Sequence, residues 1–432
     1  MLAKCVVNAK DEALRLAKFV RDAVPFGAGY TPVANRNDRG GQKRRLRVCI
    51  AASGRFHLLD LARELDQLGV EVHFYSYVPR KRAEEFGLPG RCHVALLPYV
   101  FPLVILERLF PRILPRLTES LMCRALDQLV SWKLKRCDVF VCMSGIYVRA
   151  PLEAKRRFGA KISLHRSSKH ILVQRKIVSS SPGGQQVTDF MVRRELQGYA
   201  FADEIAVPSG HVAASFASSP RLYAKVFQNA LGVDIEQFPF QNRRDILVKP
   251  TVIYVGHWSF RKGVDILWEA IQMLGDVRLI HVGALVDVEL PNDPRMTHYD
   301  HVPQEKLCEY YGQAHVFVLA SREDGFGVVI AQALSCGLSV VCSDQTGGDD
   351  LSKLPGLSRL IRVVQAGDSI GLRNALQTAL DESYPSKKVA PITPTERQSL
   401  RWRHYAAREL EFYQKRLIGK QDCNIDAAQY KS

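Results

Sequence analysis

The sequence predicts an α/β protein built from two doubly wound, Rossmann-like parallel-sheet domains that face each other across a cleft. Three observations predict it. Short apolar, β-branched segments alternate with helix-periodic segments from residue 45 to residue 209. The alternation breaks at the polar stretch Gln241 to Lys249 and then restarts from 251 to 344. Several apolar segments end in Ser or Gly, the residues that let a backbone turn sharply toward a ligand at the carboxyl end of a strand.

The elements follow in order. RLRVCIAAS (45–53) reads as a buried strand, His57 to Leu68 as a helix stopped by Gly69, and VEVHFYSYV (70–78) as the next strand. A helix over Leu121 to Lys135, a strand at 137–145, a helix at about 151–158, a strand at 160–168 and a strand at 203–209 complete the first unit. In the second unit the strands are 251–256, 277–283, 296–302, 315–321 and 338–344. Helices are expected over Val264 to Leu274, Gln304 to Ala314 and Phe326 to Cys336. The domain divisions expected are 1–44 (an amphipathic helix near Lys10 to Ala23, then a Gly-rich linker), 45–245, 246–395, and a C-terminal helix in 396–418.

The 432 residues carry 60 Lys+Arg against 44 Asp+Glu, a net charge of +16. Residues 1–250 hold 40 basic and 22 acidic residues, whereas 251–432 hold 20 and 22, so the excess basicity lies in the first part. That asymmetry asks for an acidic partner there, such as an anionic membrane, a phosphorylated substrate or nucleic acid. Nucleic acid is disfavoured because no zinc finger, aromatic RNP-like motif or other reader is present. Ten dispersed cysteines without a CxxC pair read as reduced and cytoplasmic. The longest apolar run, Val94 to Leu106, contains two prolines and is too short to span a bilayer. The N-terminus lacks the apolar core of a signal peptide.

The segment Tyr99 to Leu117 mixes large apolar side chains with Arg108, Arg112 and Arg116. A membrane interface with anionic lipid and a core-facing helix with a solvated basic edge fit it equally. Prolines 111 and 115 argue against one long helix there.

Residues 254–342 are the most informative for chemistry. In YVGHWSFRKG a strand ends at Gly256, and the loop from His257 leads through Arg261 and Lys262 to Gly263 and a helix, placing an ammonium where a phosphate would sit. Taken alone, a plain βα turn with a solvated lysine explains this better, because such glycines are common. In SREDGFGVVIAQALSCG a buried strand ends in Glu323-Asp324, then Gly325, Phe326 and Gly327 open an apolar helix carrying Gln332. The amides of 325–327 suit an anion, and Asp324 and Gln332 bracket the space between. The bland alternative is a capping acid plus an incidental glutamine.

These stretches, with HVPQEKLCEYYGQAHVFVLAS and TGGDDL, resemble family 4 of the retaining glycosyltransferases, of GT-B fold. The resemblance covers 250–352 and extends more weakly to RVCIAASGRFH, the His165 strand, FADEIAVPS and NALGVDIEQF. SLRWRHYAARELEFY (399–413) resembles the family's last helix, which crosses back to the first domain. The resemblance implies a retaining glycosyltransferase moving a sugar from a nucleotide-diphospho-sugar to an acceptor hydroxyl, in glycan, polysaccharide or glycolipid synthesis.

By the same resemblance Lys262 contacts the diphosphate, and His257 stands where the family has an Arg, with Arg261 nearby. The family's paired glutamates fall on Asp324 and Gln332, the first facing the donor sugar and the second the ribose, with Glu323 a substitute for the first. Thr346, Gly347 and Gly348 match a loop near the donor. Gly54 and Arg55 match the glycine loop near the diphosphate. His165 matches the histidine beside the reacting sugar, and His170 is a weaker candidate. Partners implied are the donor, an acceptor glycan, lipid-linked sugar or small molecule, and an anionic membrane surface at the inner face. No cofactor and no metal are required. The departures at Asp324 and Gln332 keep open a catalytically weak GT-B protein that binds a nucleotide sugar or a partner.

Overall fold

A computed structural model describes residues 45–109, 115–180, 187–241, 249–300, 302–383 and 390–418. The helix expected near Lys10 to Ala23, the linker that follows it, and most of the polar stretch after Gln241 lie outside these residues.

The first half is a seven-stranded sheet of β1 (Arg47–Ala51), β2 (Glu71–Ser76), β3 (His93–Ala95), β4 (Val139–Met143), β5 (Lys161–His165), β6 (Glu204–Val207) and β7 (Val226–Gln228), in the order β3-β2-β1-β4-β5-β6-β7. The second half has six strands: β8 (Thr251–Val255), β9 (Arg278–Val282), β10 (Met296–Tyr299), β11 (Val316–Leu319), β12 (Ser339–Ser343) and β13 (Ile361–Val364), in the order β10-β9-β8-β11-β12-β13. Every strand pairing is parallel. Central strands such as β8 and β12 are buried along their whole length, as apolar runs covered by helices on both faces must be.

In both sheets the chain order reverses beside the first strand, between β1 and β4 and between β8 and β11. Ligand crevices in open parallel sheets form outside the carboxyl ends of strands at such a reversal. The loops after β1, β8 and β11 are those that carry Gly54-Arg55, His257 to Lys262, and Glu323 to Gly327.

Several helix boundaries differ from expectation for local reasons. The helix expected from Phe326 begins at Val328, because Gly327 takes the left-handed N-cap position with φ 74°. The helix expected from Leu121 starts earlier, at Pro115, a residue suited to a first turn because it has no N–H to leave unpaired. The segment from Gln304 is a short 3-10 turn followed by the helix Leu307–Tyr311. Strands β3, β7 and β13 and the helices Ile171–Ser179, Asp189–Phe201 and Ser369–Ser383 were not expected from the sequence pattern.

The helix Trp402–Phe412 belongs to the core of the first half. Trp402, Tyr405, Ala406 and Leu410 pack with Leu58, Leu61 and Leu65 of the helix His57–Gln67. Val233 pairs in parallel with Arg401, and its N–H donates to the Leu400 carbonyl at 2.8 Å.

Candidate functional site

The loop after β8 turns at Ser259 and tightens into a 3-10 turn over Phe260–Lys262. Gly263 then takes φ 67°, and a Cβ there would stand 2.1 Å from the Ala320 carbonyl oxygen. Only glycine therefore lets the loop after β8 lie against the loop after β11. This contact brings two basic and two acidic side chains together. Arg261 Nη1 donates to Glu323 Oε2 at 2.8 Å, and Lys262 Nζ pairs with Asp324 Oδ2. A second brace lies just outside, where Arg322 grips Asp265 through two 2.6 Å bonds and stacks over Phe260.

Burial pushes the Asp324 carboxyl up, but the Lys262 ammonium, Arg261 and the Phe326 backbone N–H outweigh it and hold the group below the usual carboxylate range. Asp324 is thus a carboxylate at neutral pH. One of the amides expected to face an anion, that of Phe326, already serves Asp324.

Gln332 is buried, and its Oε1 accepts a 3.1 Å bond from the Tyr311 hydroxyl. Thr346 Oγ1 donates to the Ser343 carbonyl at 2.7 Å and accepts from the Gly348 N–H. The Gly347 N–H donates to the Phe326 carbonyl at 2.7 Å, so this turn supports the 325–327 loop from behind. His257 is exposed, and its carbonyl accepts from the buried Tyr254 hydroxyl.

The two halves meet at this loop. A Cβ on Gly325 would stand 1.6 Å from the Ser167 carbonyl oxygen, a close approach that requires glycine. Ser209 Oγ donates to the Gly325 carbonyl at 2.6 Å, Lys169 Nζ donates to Gln345 Oε1, and the Gly210 N–H and Gln228 Nε2 both donate to the Asp350 carboxylate.

Beside these bridges lies a cavity of about 740 Å³. Arg55, His57, Asp60 and Arg63 line it from the first half, Asp324, Phe326, Gly327 and Gln332 from the second, and Arg401 to Arg403 from the C-terminal segment. Arg55 stacks over Phe86 at 3.7 Å and presents its charge to this space. Gly54 has nothing closer than 3.8 Å to an added Cβ, so the protein itself leaves that position open.

Of the residues expected from sequence, Arg55, Asp324, Phe326, Gly327 and Gln332 line the cavity, and Lys262 reaches it through Asp324. Glu323 is fully buried against Arg261 instead. His165 is also buried and lines a separate small cavity with His57, Asn229, Tyr405 and Glu409. His57 lines both spaces. His170 serves as an N-cap, accepting from the Leu172 N–H.

Sequence reasoning missed His57, Asp60, Arg63 and the Arg401 to Arg403 run as cavity residues. His57 stood in the quoted segment RVCIAASGRFH, but only its three-dimensional partners mark it. Burial pushes Asp60 up to about 6, with Arg63 and Arg55 opposing the rise. Among the described residues no cluster of three or more His, Cys, Asp or Glu is arranged to hold a metal ion, and no helix is long and apolar enough to cross a membrane.

Comparison with known proteins adds the following. Residues 249–382 match the family described as glycosyl transferases group 1. A GDP-mannose:cellobiosyl-diphosphopolyprenol alpha-mannosyltransferase of Xanthomonas campestris is 26% identical over 248 residues, which is 52% of this chain and 60% of that protein. A GDP-mannose-dependent alpha-mannosyltransferase of Mycobacterium tuberculosis is 32% identical over 136 residues, covering 29% of this chain and 36% of that protein. The chain thus spans less than two thirds of the length of these relatives. Among solved structures, HepE of Anabaena in complex with UDP and glucose superposes with a TM-score of 0.60 at 14% identity, covering 86% of this chain and 100% of that chain. Sucrose-phosphate synthase from Thermosynechococcus elongatus gives a TM-score of 0.59 at 16% identity, covering 86% and 99%. At such identities the likeness is one of fold, and the fold is GT-B.

Proposed function

We propose that this chain, whose residues 249–382 match the group 1 glycosyl transferases, moves a sugar from a nucleotide-diphospho-sugar to an acceptor hydroxyl with retention of configuration. The observation that carries the reading is the Lys262–Asp324 pair at the meeting of the β8 and β11 loops, with Asp324 on the wall of the cavity between the halves. A diphosphate beside this pair takes over the Lys262 ammonium, and the lysine neutralises the charge that grows on the leaving group as the glycosidic bond breaks. Arg55 offers a second cation from the first half. Gln332, held by Tyr311, offers its amide to a diol, and Asp324 faces the sugar. The bridges through Gly325 and Asp350 hold the halves together and exclude water from the reacting centre.

GDP-mannose is the first donor to test, because the relatives named above carry that donor in their names. A lipid-linked sugar is the first acceptor, and with it a peripheral place at the membrane inner face. The test is thermal stabilisation by GDP-mannose, UDP-glucose and ADP-glucose in turn, followed by nucleotide release with acceptor present. Stabilisation by one donor and acceptor-dependent release of its nucleotide are expected; no response to any of the three overturns the reading.

A second reading, a GT-B protein that binds a nucleotide sugar but turns it over weakly, draws on one observation. Both cations placed for a diphosphate, Arg261 and Lys262, are already paired with acids of the same loop. Stabilisation without turnover on any acceptor selects it. The nucleic-acid alternative gains no reader motif from the fold, and steep salt-dependent binding to single or double strands is what would select it.

A further inference from the structure

The helix Leu97–Leu109 is apolar on its outer side as well as its inner one. Its buried side is Val100 and Val104, which pack into the first-half core. The side opposite carries Pro98, Phe101, Pro102 and Ile105, spaced i, i+3, i+4 and i+7, and all four are exposed. A solvent-facing stripe at that spacing is normally polar. The neighbouring helix Pro115–Lys133 buries Leu126 and Val130 on its inner side, and it too exposes large apolar side chains, Leu117, Leu121 and Trp132, on its outer one. Tyr99 joins the two helices, with Lys133 Nζ donating to its hydroxyl at 2.9 Å and lying 4.3 Å from its ring centre. Tyr99, Phe101, Ile105, Leu117, Leu121 and Trp132 are between 37% and 72% exposed. Large apolar side chains gathered on two adjacent helices form a patch that water alone does not account for.

The charge around the patch says what covers it. Residues 97–106 and 117–136 hold four Lys or Arg and two acids. Both acids are turned inward. Asp127 is buried, paired with Arg194 and accepting from the N–H groups of residues 148–150, and Glu119 accepts from Thr188. Arg124, Lys135 and Arg136 stay exposed at the rim. Apolar and aromatic side chains ringed by cations match the boundary between acyl chains and anionic headgroups.

We propose that the outer faces of the helices Leu97–Leu109 and Pro115–Lys133 form the surface by which this protein sits on an anionic lipid bilayer, without crossing it. The inference gives a surface to the peripheral placement proposed above and rests on that placement, but not on the transfer reaction.

The test is co-sedimentation of the full chain with vesicles of phosphatidylcholine, alone or with about 30 mol% phosphatidylglycerol. Wild type partitions onto the anionic vesicles, weakly onto the neutral ones, and less as salt rises. Phe101→Ser with Ile105→Ser, and separately Trp132→Ala, each lower partition by about ten-fold. Because these side chains are exposed, melting temperature and donor stabilisation stay at wild-type values. Equal partition of the variants, or no preference for anionic vesicles, overturns the proposal. So does a wild-type dimer, seen by analytical ultracentrifugation, that the same substitutions dissociate, since the patch would then be covered by a second copy. Donor stabilisation without vesicle binding defeats the surface and spares the proposed reaction; vesicle binding without response to any donor does the reverse.

Discussion

His57 Nε2 lies 3.2 Å from His165 Nδ1, so only one of these two facing nitrogens carries a proton. The Tyr405 hydroxyl stands 3.4 Å from the same Nδ1, and Glu409 Oε2 lies 4.0 Å from His165 Nε2. The histidine expected to meet the sugar is therefore held from the C-terminal helix, and its partner His57 lines the large cavity while His165 itself does not.

Burial pushes His57 down to about 4, and burial together with His57 pushes His165 well below its ordinary value. An unfolded chain takes up protons at these positions near pH 6.5 while the folded chain does not. Stability is therefore fully present above pH 6.5 and declines as pH falls toward about 4. The melting temperature of wild type should fall across that window. His57→Gln, which stays neutral, should show a shallower fall; an unchanged slope would mean that the pair does not titrate as described.

The same cluster makes the opposite demand at higher pH. Burial raises Glu409 from 4.5 to about 7 despite the 2.8 Å bond from Asn229 Nδ2. A group raised in the folded state favours folding below its unfolded value, and that contribution is lost as pH climbs from 4.5 through about 7. Glu409→Gln keeps an oxygen for Asn229 and has no charge to bury. It should match wild type under acid conditions and exceed it in melting temperature above neutrality. A variant less stable at every pH would show instead that the carboxylate is needed.

Lys262→Met should reduce donor turnover by about 100-fold or more, since it removes the cation placed for the leaving group. It also strips Asp324 of its partner, which in a largely buried site costs about 3 kcal/mol of stability. Adding Asp324→Asn should recover much of that stability without recovering turnover. Near-normal turnover in either protein, measured as released nucleotide, would remove Lys262 from the reaction.

Gly325→Ala places a methyl group where the Ser167 carbonyl now sits. The β11 loop must withdraw, which breaks the Ser209 bond and loosens the junction of the halves. A larger radius of gyration by small-angle scattering, with turnover reduced at least about ten-fold, is the expected result. A variant as compact as wild type would show that the contact does not set the spacing of the halves.

Much of this architecture is legible from sequence where the signal is local. Strands β8, β9, β11 and β12 lie within the expected segments, because strands covered on both faces must be continuous apolar runs with small or polar residues at their ends. Lys262, Asp324 and Gln332 could be singled out because each stands in a short stretch next to a strand end. Strands β3, β7 and β13 escaped notice because edge strands are short and partly exposed, and their pattern is weak. The setting of His165 was illegible for a different reason. His57 is 108 residues away from it and Tyr405 is 240 away, and no periodicity reports a meeting at such separations. The pairing of Arg261 and Lys262 with the two adjacent acids was equally hidden, although all four had been singled out one by one.

The packing of Trp402–Phe412 against Leu58 and Leu61 has a bearing on how the molecule is made. A chain emerging from a ribosome presents the first sheet well over a hundred residues before the helix that completes the cover of one of its faces. Until then the part of that face beside the helix His57–Gln67 is an uncovered apolar surface, and the second sheet can close before the first. Maturation of the first half is thus tied to completion of the second, so that the cleft and its far wall are finished together.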